Sequence, residues 1–323
     1  MDAPLLALDD LTVHYQTRRG PLPAVAGVSL ELQPGTALGL VGESGSGKTS
    51  LAMAILRLLP DNARIVQGRI RFQGRDLVPL PEDQMRQIRW RGISMIFQAA
   101  MNAWNPVYTV GRQIVEAIQT HEPRVSDEEA RERVAELFEM VGLDRSRMDH
   151  YPHQYSGGMK QRAVIAMALA SRPQLVLADE PTTALDVIVQ DRILKELDEI
   201  RHRLGMAMVY ISHDIAVIAE VSERVGVMYA GRLVEVGPGE RVFHHPIHPY
   251  TDGLMKAFPS IRGPRRALQA IPGDPPNLLN LPAGCPFHPR CPLAVDRCRA
   301  ETPPLVAYEP DHQAACWRPL GYS

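Results

Sequence analysis

The sequence predicts an α/β fold built on a parallel sheet, followed by a loop-rich extension. Three observations carry this. Leu175-Val176-Leu177-Ala178 and Met206 to Ile211 are short, wholly apolar runs, the pattern of strands buried on both faces. Such runs alternate with helix-period segments, as βαβ units require. Thirteen of the 28 prolines fall between Pro259 and Pro319, a density that resists long helices and strands.

Taken in order, the chain opens on strands. Leu5 to Tyr15 is the first, with Leu11-Thr12-Val13-His14-Tyr15 its most strand-like part. Val25 to Leu32 and Thr36 to Val41 follow, with Gly27, Pro34 and Gly35 as turn punctuation. Ser50 to Leu59 reads as a helix. A second helix starts at Ser126, an N-cap oxygen with Glu129 three residues on to complete a capping box. Ala130, Val134, Leu137, Phe138 and Val141 share one face of it, and Gly142 stops it. From about residue 259 onward the chain reads as loops.

Composition narrows the function classes. A length of 323 residues allows one large domain, or a domain with an extension. Lys and Arg total 35 against 37 Asp and Glu, so there is no electrostatic case for a nucleic-acid partner. No stretch approaches the roughly 18 apolar residues of a membrane span. Met1-Asp2-Ala3-Pro4 lacks the basic and apolar regions of a secretory leader, so a cytosolic chain is expected. Its four cysteines, Cys285, Cys291, Cys298 and Cys316, all lie near the end. A reducing cytosol disfavours disulfides, so the cluster reads as a metal or iron–sulfur site, or as coincidence.

Three strings carry chemistry. Gly42-Glu43-Ser44-Gly45-Ser46-Gly47-Lys48-Thr49 follows an apolar strand and precedes a helix that starts at Ser50, the setting a phosphate-binding loop requires. Its glycines let N–H groups turn inward onto phosphates, Lys48 reaches the β- and γ-phosphates, and the Thr49 hydroxyl can hold Mg2+. Asp179-Glu180 closes the apolar strand at Leu175. An acid there suits Mg2+, and Glu180 can polarise an attacking water as general base. In Tyr155-Ser156-Gly157-Gly158-Met159, a Ser and two glycines open a helix whose free N–H groups form an anion-binding end.

With these strings in family order, the chain resembles the nucleotide-binding subunit of an ABC transporter over roughly residues 5–240. Gly42–Thr49 corresponds to Walker A, Leu175–Asp179 to Walker B, and Tyr155–Met159 to the signature. Ala184-Leu185-Asp186 corresponds to the D-loop, Gln98 to the Q-loop and His213 to the switch histidine. Tyr15 sits where an adenine-stacking aromatic is expected. Tyr155 and Met159 depart from the usual Leu and Gln of the signature. His248-Pro249-Tyr250-Thr251, the run Met101 to Pro106 and the Pro- and Cys-rich tail resemble the ATPase subunits of dipeptide, oligopeptide and nickel permeases.

The resemblance implies a P-loop ABC ATPase core with an N-terminal antiparallel β-subdomain and a helical signature subdomain over about 99–165. It assigns residues 1–240 to the nucleotide-binding domain and 241–323 to a small, irregular permease-type extension. ATP would be held by Tyr15, Gly42, Ser44, Gly45, Ser46, Gly47, Lys48, Thr49, Ser50, Gln98 and Asp179. Thr49, Gln98 and Asp179 would hold Mg2+. Glu180, His213 and Gln98 would be catalytic, while Ser156, Gly157, Gly158 and Asp186 would reach the ATP of a second ATP-binding subunit, a paralogue. Two membrane-spanning permease subunits and an extracytoplasmic binding protein would complete a peptide importer at the cytoplasmic face of the inner membrane. Nickel and oligosaccharides are the other cargoes the resemblance leaves open. A soluble ABC ATPase of DNA repair or translation is the rival class.

The four cysteines have the spacing C-x5-C-x6-C-x17-C, without the tight C-x2–4-C knuckles of many zinc sites. Pro286 and Pro292 each follow a cysteine, as in ferredoxin-type runs. Permease ATPases with a similar tail can hold a [4Fe–4S] cluster. A cluster is therefore expected ahead of Zn2+, and Zn2+ ahead of free thiols.

Overall fold

The structure, a computed structural model, describes residues 3–98, 102–182, 185–257 and 269–322. In chain order the elements are β1 (Leu6–Thr17), β2 (Gly20–Leu32), β3 (Ala37–Val41), α1 (Lys48–Ile55), β4 (Ala63–Phe72) and β5 (Arg75–Asp76). Then come α2 (Glu82–Ile88), β6 (Ile93–Ile96), α3 (Val110–His121), α4 (Asp127–Met140), α5 (Gly157–Leu169), β7 (Leu175–Asp179), α6 (Val187–Leu204) and β8 (Ala207–Ile211). The last are α7 (Ile215–Val221), β9 (Arg224–Tyr229), β10 (Arg232–Pro238), α8 (Gly239–His244), α9 (Pro249–Ala257), α10 (Asp296–Ala300), β11 (Val306–Glu309) and β12 (His312–Ala314). Among the described residues no helix is long and apolar enough to cross a membrane.

The chain divides into two compact units. One comprises Met1–Gln33, Ala37–Pro79 and Ile211–Ser323, the other Pro34–Thr36 and Leu80–Tyr210. In the first unit, β1 pairs antiparallel with β2 and with β4, giving the expected N-terminal antiparallel sheet. Leu6, Leu8, Leu11 and Val13 of β1 are buried with Val25, Val28 and Leu32 of β2 and Ile70 of β4. β3 pairs in parallel with β9, and all five of its residues are buried. β9 pairs antiparallel with β10, and β10 in turn with β12.

That last pairing corrects the expectation of an irregular tail. Residues 306–314 form a short antiparallel hairpin, and Glu235 of β10 faces Ala314 of β12 in register. Behind the ladder lies a buried polar knot. Glu235 is fully buried and accepts from the backbone N–H groups of Ile247 and His248 and from the His312 imidazole at 2.8 Å. Burying a carboxylate is costly unless its oxygens are filled, and here each has a partner.

In the second unit, β6 and β7 are parallel and β8 lies beside β7. β7 and β8 are buried at every position, as their apolar runs predict. The helical region contains α3, α4, two 3-10 turns at Arg145–Asp149 and Pro152–Gln154, and then α5. The Ser126 hydroxyl accepts from the Glu129 N–H at 3.2 Å, as its cap position predicts. Ala130, Val134, Leu137 and Phe138 are buried on the expected face, and Gly142 closes the helix at φ +70°.

The helix expected over Ser50–Leu59 starts two residues earlier and stops at Ile55. Arg57 turns to φ +51°, and its N–H bonds Ala54 O in a tighter turn. The Arg57 guanidinium reaches Leu77 O at 3.2 Å, so a tertiary bond ends a helix that propensity alone would extend.

Gly39 in β3 lets α7 approach the sheet, because a Cβ there would lie 2.1 Å from Ile218 Cγ2 and 2.8 Å from Ser222 Oγ. Gly39→Ala is expected to cost about 1–3 kcal/mol through overpacking. Combined with Ile218→Ala, it should cost less than the two single changes added together, since the truncated side chain makes room. Denaturant unfolding of the four proteins of that cycle checks this; strict additivity would refute the close approach.

Candidate nucleotide site

In the first unit, the loop after β3 is shaped by glycines. Gly42, Gly45 and Gly47 have φ of +152°, +77° and +105°, a region L-residues with side chains rarely adopt. Space enforces the same choice. A Cβ on Gly42 would lie 2.2 Å from Met228 O, and one on Gly47 2.2 Å from Ala24 O. The Gly231 N–H bonds Ser46 O at 3.0 Å, so the turn between β9 and β10 holds the loop from outside.

Lys48 begins α1 yet is buried, at 7% exposure. Its Nζ donates to Gly42 O at 2.7 Å, Glu43 O at 3.0 Å and Ser46 Oγ at 3.1 Å. A desolvated ammonium must fill its donors, and here the loop wraps around it to do so. No side chain caps α1, and the first backbone bond there runs from Leu51 N to Gly47 O. The N–H groups that open the helix therefore form a positive end suited to a phosphate. Ser44, Gly45 and Thr49 are exposed, Ser50 is half-buried and Ser46 is buried. The Tyr15 hydroxyl lies 3.3 Å from Ser50 Oγ, which places that aromatic at the first turn of α1. His213 is exposed in the same unit, on the turn that leads into α7.

In the second unit, Asp179 ends β7 at 2% exposure. Glu180 follows at φ +46°, a strained conformation for a residue with a side chain. Its Oε2 accepts from Gln98 Nε2 at 2.7 Å, so two of the expected site residues meet, from the ends of β6 and β7. Sequence reasoning missed the supports of this turn. Gln161 of α5 donates to Pro181 O, and Gln190 of α6 donates to Thr182 O and Leu185 O at 3.0 and 3.1 Å. Neither glutamine has a local signature beyond being polar on a helix.

Ser156 caps α5, accepting from the Met159 N–H at 3.3 Å, and Gly157 and Gly158 form the first turn. The departure at Tyr155 has a structural account. The ring is buried, and its hydroxyl donates to Arg147 O at 2.6 Å, pinning the 3-10 turn before it. Asp186 is exposed and caps α6 through the Val189 N–H at 3.0 Å. Ala99, Ala100, Met101, Thr183 and Ala184 lie outside the described residues.

Cys285, Cys291, Cys298 and Cys316 line one cavity, together with His248, Phe287 and Trp317. The Cys285 N–H donates to Cys298 O at 2.8 Å and brings two of the cysteine segments together. Burial pushes the Cys285 and Cys291 thiols up and the Cys316 thiol up to about 12. His248 is fully buried, and burial lowers its pKa to about 4. Among the described residues no three His, Cys, Asp or Glu side chains converge as a site for a single metal ion.

Residues 25–183 match the ABC transporter family, and residues 234–298 match the C-terminal region of oligopeptide/dipeptide transporters. A probable peptide ABC transporter ATP-binding protein of Sinorhizobium fredii is 47% identical over 318 residues, spanning 97% of this chain and 95% of its own length. The oligopeptide transport ATP-binding protein OppD of Salmonella typhimurium is 45% identical, spanning 98% of this chain and 94% of its own. Among solved structures, the ATP-binding cassette MJ0796, a dimer in a post-hydrolysis state bound to ADP and Pi, superposes with a TM-score of 0.65 at 29% identity. It covers 72% of this chain and 98% of its own.

Gly47→Ala combines a forbidden φ with a steric overlap on Ala24 O. It is expected to weaken MgATP binding by about a hundredfold, measured by titration calorimetry. Wild-type affinity in that variant would mean that the loop does not contact the nucleotide.

Proposed function

This chain belongs to the ATP-binding proteins of oligopeptide/dipeptide ABC transporters, and from that premise we propose that it is the ATP-hydrolysing subunit that powers peptide import. The observation that carries the reading is the buried Lys48 inside a glycine loop at the head of α1. A cationic amine beside the uncapped N–H groups of a helix start suits a phosphate group, as the β- and γ-phosphates of ATP supply. Such ATPase subunits work with membrane permease subunits and a substrate-binding protein. We assign this chain to the cytoplasmic face of the membrane, docked on two permease subunits and facing a paralogous ATP-binding subunit.

In this reading residues 1–240 bind and cleave ATP, and 241–323 are the extension. Tyr15 stacks on adenine, while Gly42, Ser44, Gly45, Ser46, Gly47, Lys48, Thr49 and Ser50 hold the phosphates. Thr49, Gln98 and Asp179 offer oxygen ligands of the kind that suit Mg2+, which neutralises phosphate charge when bound. Glu180 takes the proton of the attacking water. Its strained backbone and its bond to Gln98 support that role, because both fix where the carboxylate points. His213 senses the γ-phosphate. Ser156, Gly157, Gly158 and Asp186 present a helix end and a carboxylate to the nucleotide of the partner subunit, so two such chains are needed for a closed site.

For the tail we propose a [4Fe–4S] cluster held by Cys285, Cys291, Cys298 and Cys316. The four thiols line one cavity, and their C-x5-C-x6-C-x17-C spacing lacks the tight knuckles of many zinc sites, which favours a cluster over Zn2+. Filling the site requires thiolates, and burial raises the thiols of Cys285, Cys291 and Cys316 against that. When bound, a cluster would tie together through Cys285, Cys291, Cys298 and Cys316 a segment too rich in proline to build a large core of its own.

Two outcomes test this. Glu180→Gln should retain ATP binding and cut hydrolysis in the assembled transporter by about 10²–10⁴-fold; near-normal turnover would remove Glu180 as the base. Protein purified without oxygen should be brown, and each Cys→Ser change at the four positions should bleach it. A colourless preparation with one zinc and no iron per chain would overturn the cluster.

A further inference from the structure

Glu43 directly follows Gly42 in the glycine loop, and it is held by residues far along the chain. Arg290 grips its carboxylate through two parallel bonds, Nη1 to Oε2 at 2.7 Å and Nη2 to Oε1 at 2.9 Å. The Arg290 side chain is only 6% exposed, against 24% for Glu43. Two further donors are used, with Nε on Pro272 O at 2.9 Å and Nη1 near the Tyr229 hydroxyl at 3.4 Å. Meanwhile the Glu43 backbone N–H donates to the Tyr250 hydroxyl at 2.9 Å. Tyr229, Tyr250 and Phe287 pack ring against ring behind these contacts, with centroids 4.6 to 5.3 Å apart.

The carbonyl of this same Glu43 is one of the oxygens that accept from the Lys48 ammonium, together with Gly42 O and Ser46 Oγ. A continuous path of bonds therefore runs from Arg290 through Glu43 to the lysine. Charge adds a second consequence. A carboxylate at the mouth of a triphosphate site repels the ligand unless a cation neutralises it, and the planar guanidinium fork does so while fixing its direction. We propose that Arg290, with Tyr250, is a positioning residue for ATP: it holds Glu43 so that the loop stays open to phosphate and Glu43's charge stays off the nucleotide. The proposal rests on the reading that Gly42–Thr49 binds the ATP phosphates.

The test uses the transporter assembled with its permease subunits and reads KM for ATP and kcat separately. Arg290→Ala is expected to raise KM about tenfold, with kcat at saturating ATP within about twofold. The rise should shrink at high salt, because the unpaired, part-exposed Glu43 charge is then screened. Adding Glu43→Gln to Arg290→Ala should restore KM to within about threefold, since the repelling charge is gone. Arg290→Lys keeps the charge but loses the fork, and a rise of about threefold is expected. An unchanged KM in Arg290→Ala would overturn the proposal, as would a double variant no better than the single one. Should Arg290→Ala fail to assemble, Arg290→Lys decides, and an unchanged KM there overturns it. Lys48→Ala run in parallel separates the two readings: if it binds ATP as the wild type does, the loop assignment itself has failed.

Discussion

Lys48 is the constraint on which the first unit depends. An ammonium at 7% exposure must be surrounded by oxygens, and the nearest are those of its own loop. To supply them the backbone has to double back through positive φ, which only glycine tolerates at Gly42 and Gly47. β3 delivers the loop beside β9, where Met228 O leaves no space for a Cβ on Gly42. With its carbonyls engaged by the lysine and no side chain capping α1, the head of that helix presents uncapped N–H groups, the setting of the candidate anion site.

Most of this was legible in the sequence, for local reasons. The glycine spacing, the apolar runs of β3, β7 and β8, and the Ser126 cap each act through neighbours a few residues apart. The places of Asp179 and Glu180 were legible because a strand end fixes them, and Gln98 and Glu180 do meet. What was missed is the strain at Glu180 and the glutamines that hold its turn, because a φ of +46° leaves no mark in residue type.

The tail shows the opposite case. Its proline density correctly warned against long elements, but not against a short hairpin that borrows an edge from β10. Strand pairing across some eighty residues has no local period. The same holds for Arg290 and Glu43, and for His312 and Glu235, each a polar or charged residue whose partner lies far along the chain. From sequence, each looks like an ordinary surface group. Burial is what makes them matter, because a buried charge has to be matched and its match then fixes two distant segments together.

ATP cleavage on this chain is the source of work for moving peptide, and that is measured most directly by uptake. The chain, its permease subunits and the substrate-binding protein would be reconstituted in liposomes, with labelled di- and oligopeptides supplied on the side of the binding protein and ATP on the side of this chain. The account predicts peptide accumulation that requires ATP and disappears when Lys48 is replaced by Ala. Full ATP hydrolysis by the isolated chain, with no ATP-dependent uptake in the complete assembly, would contradict it.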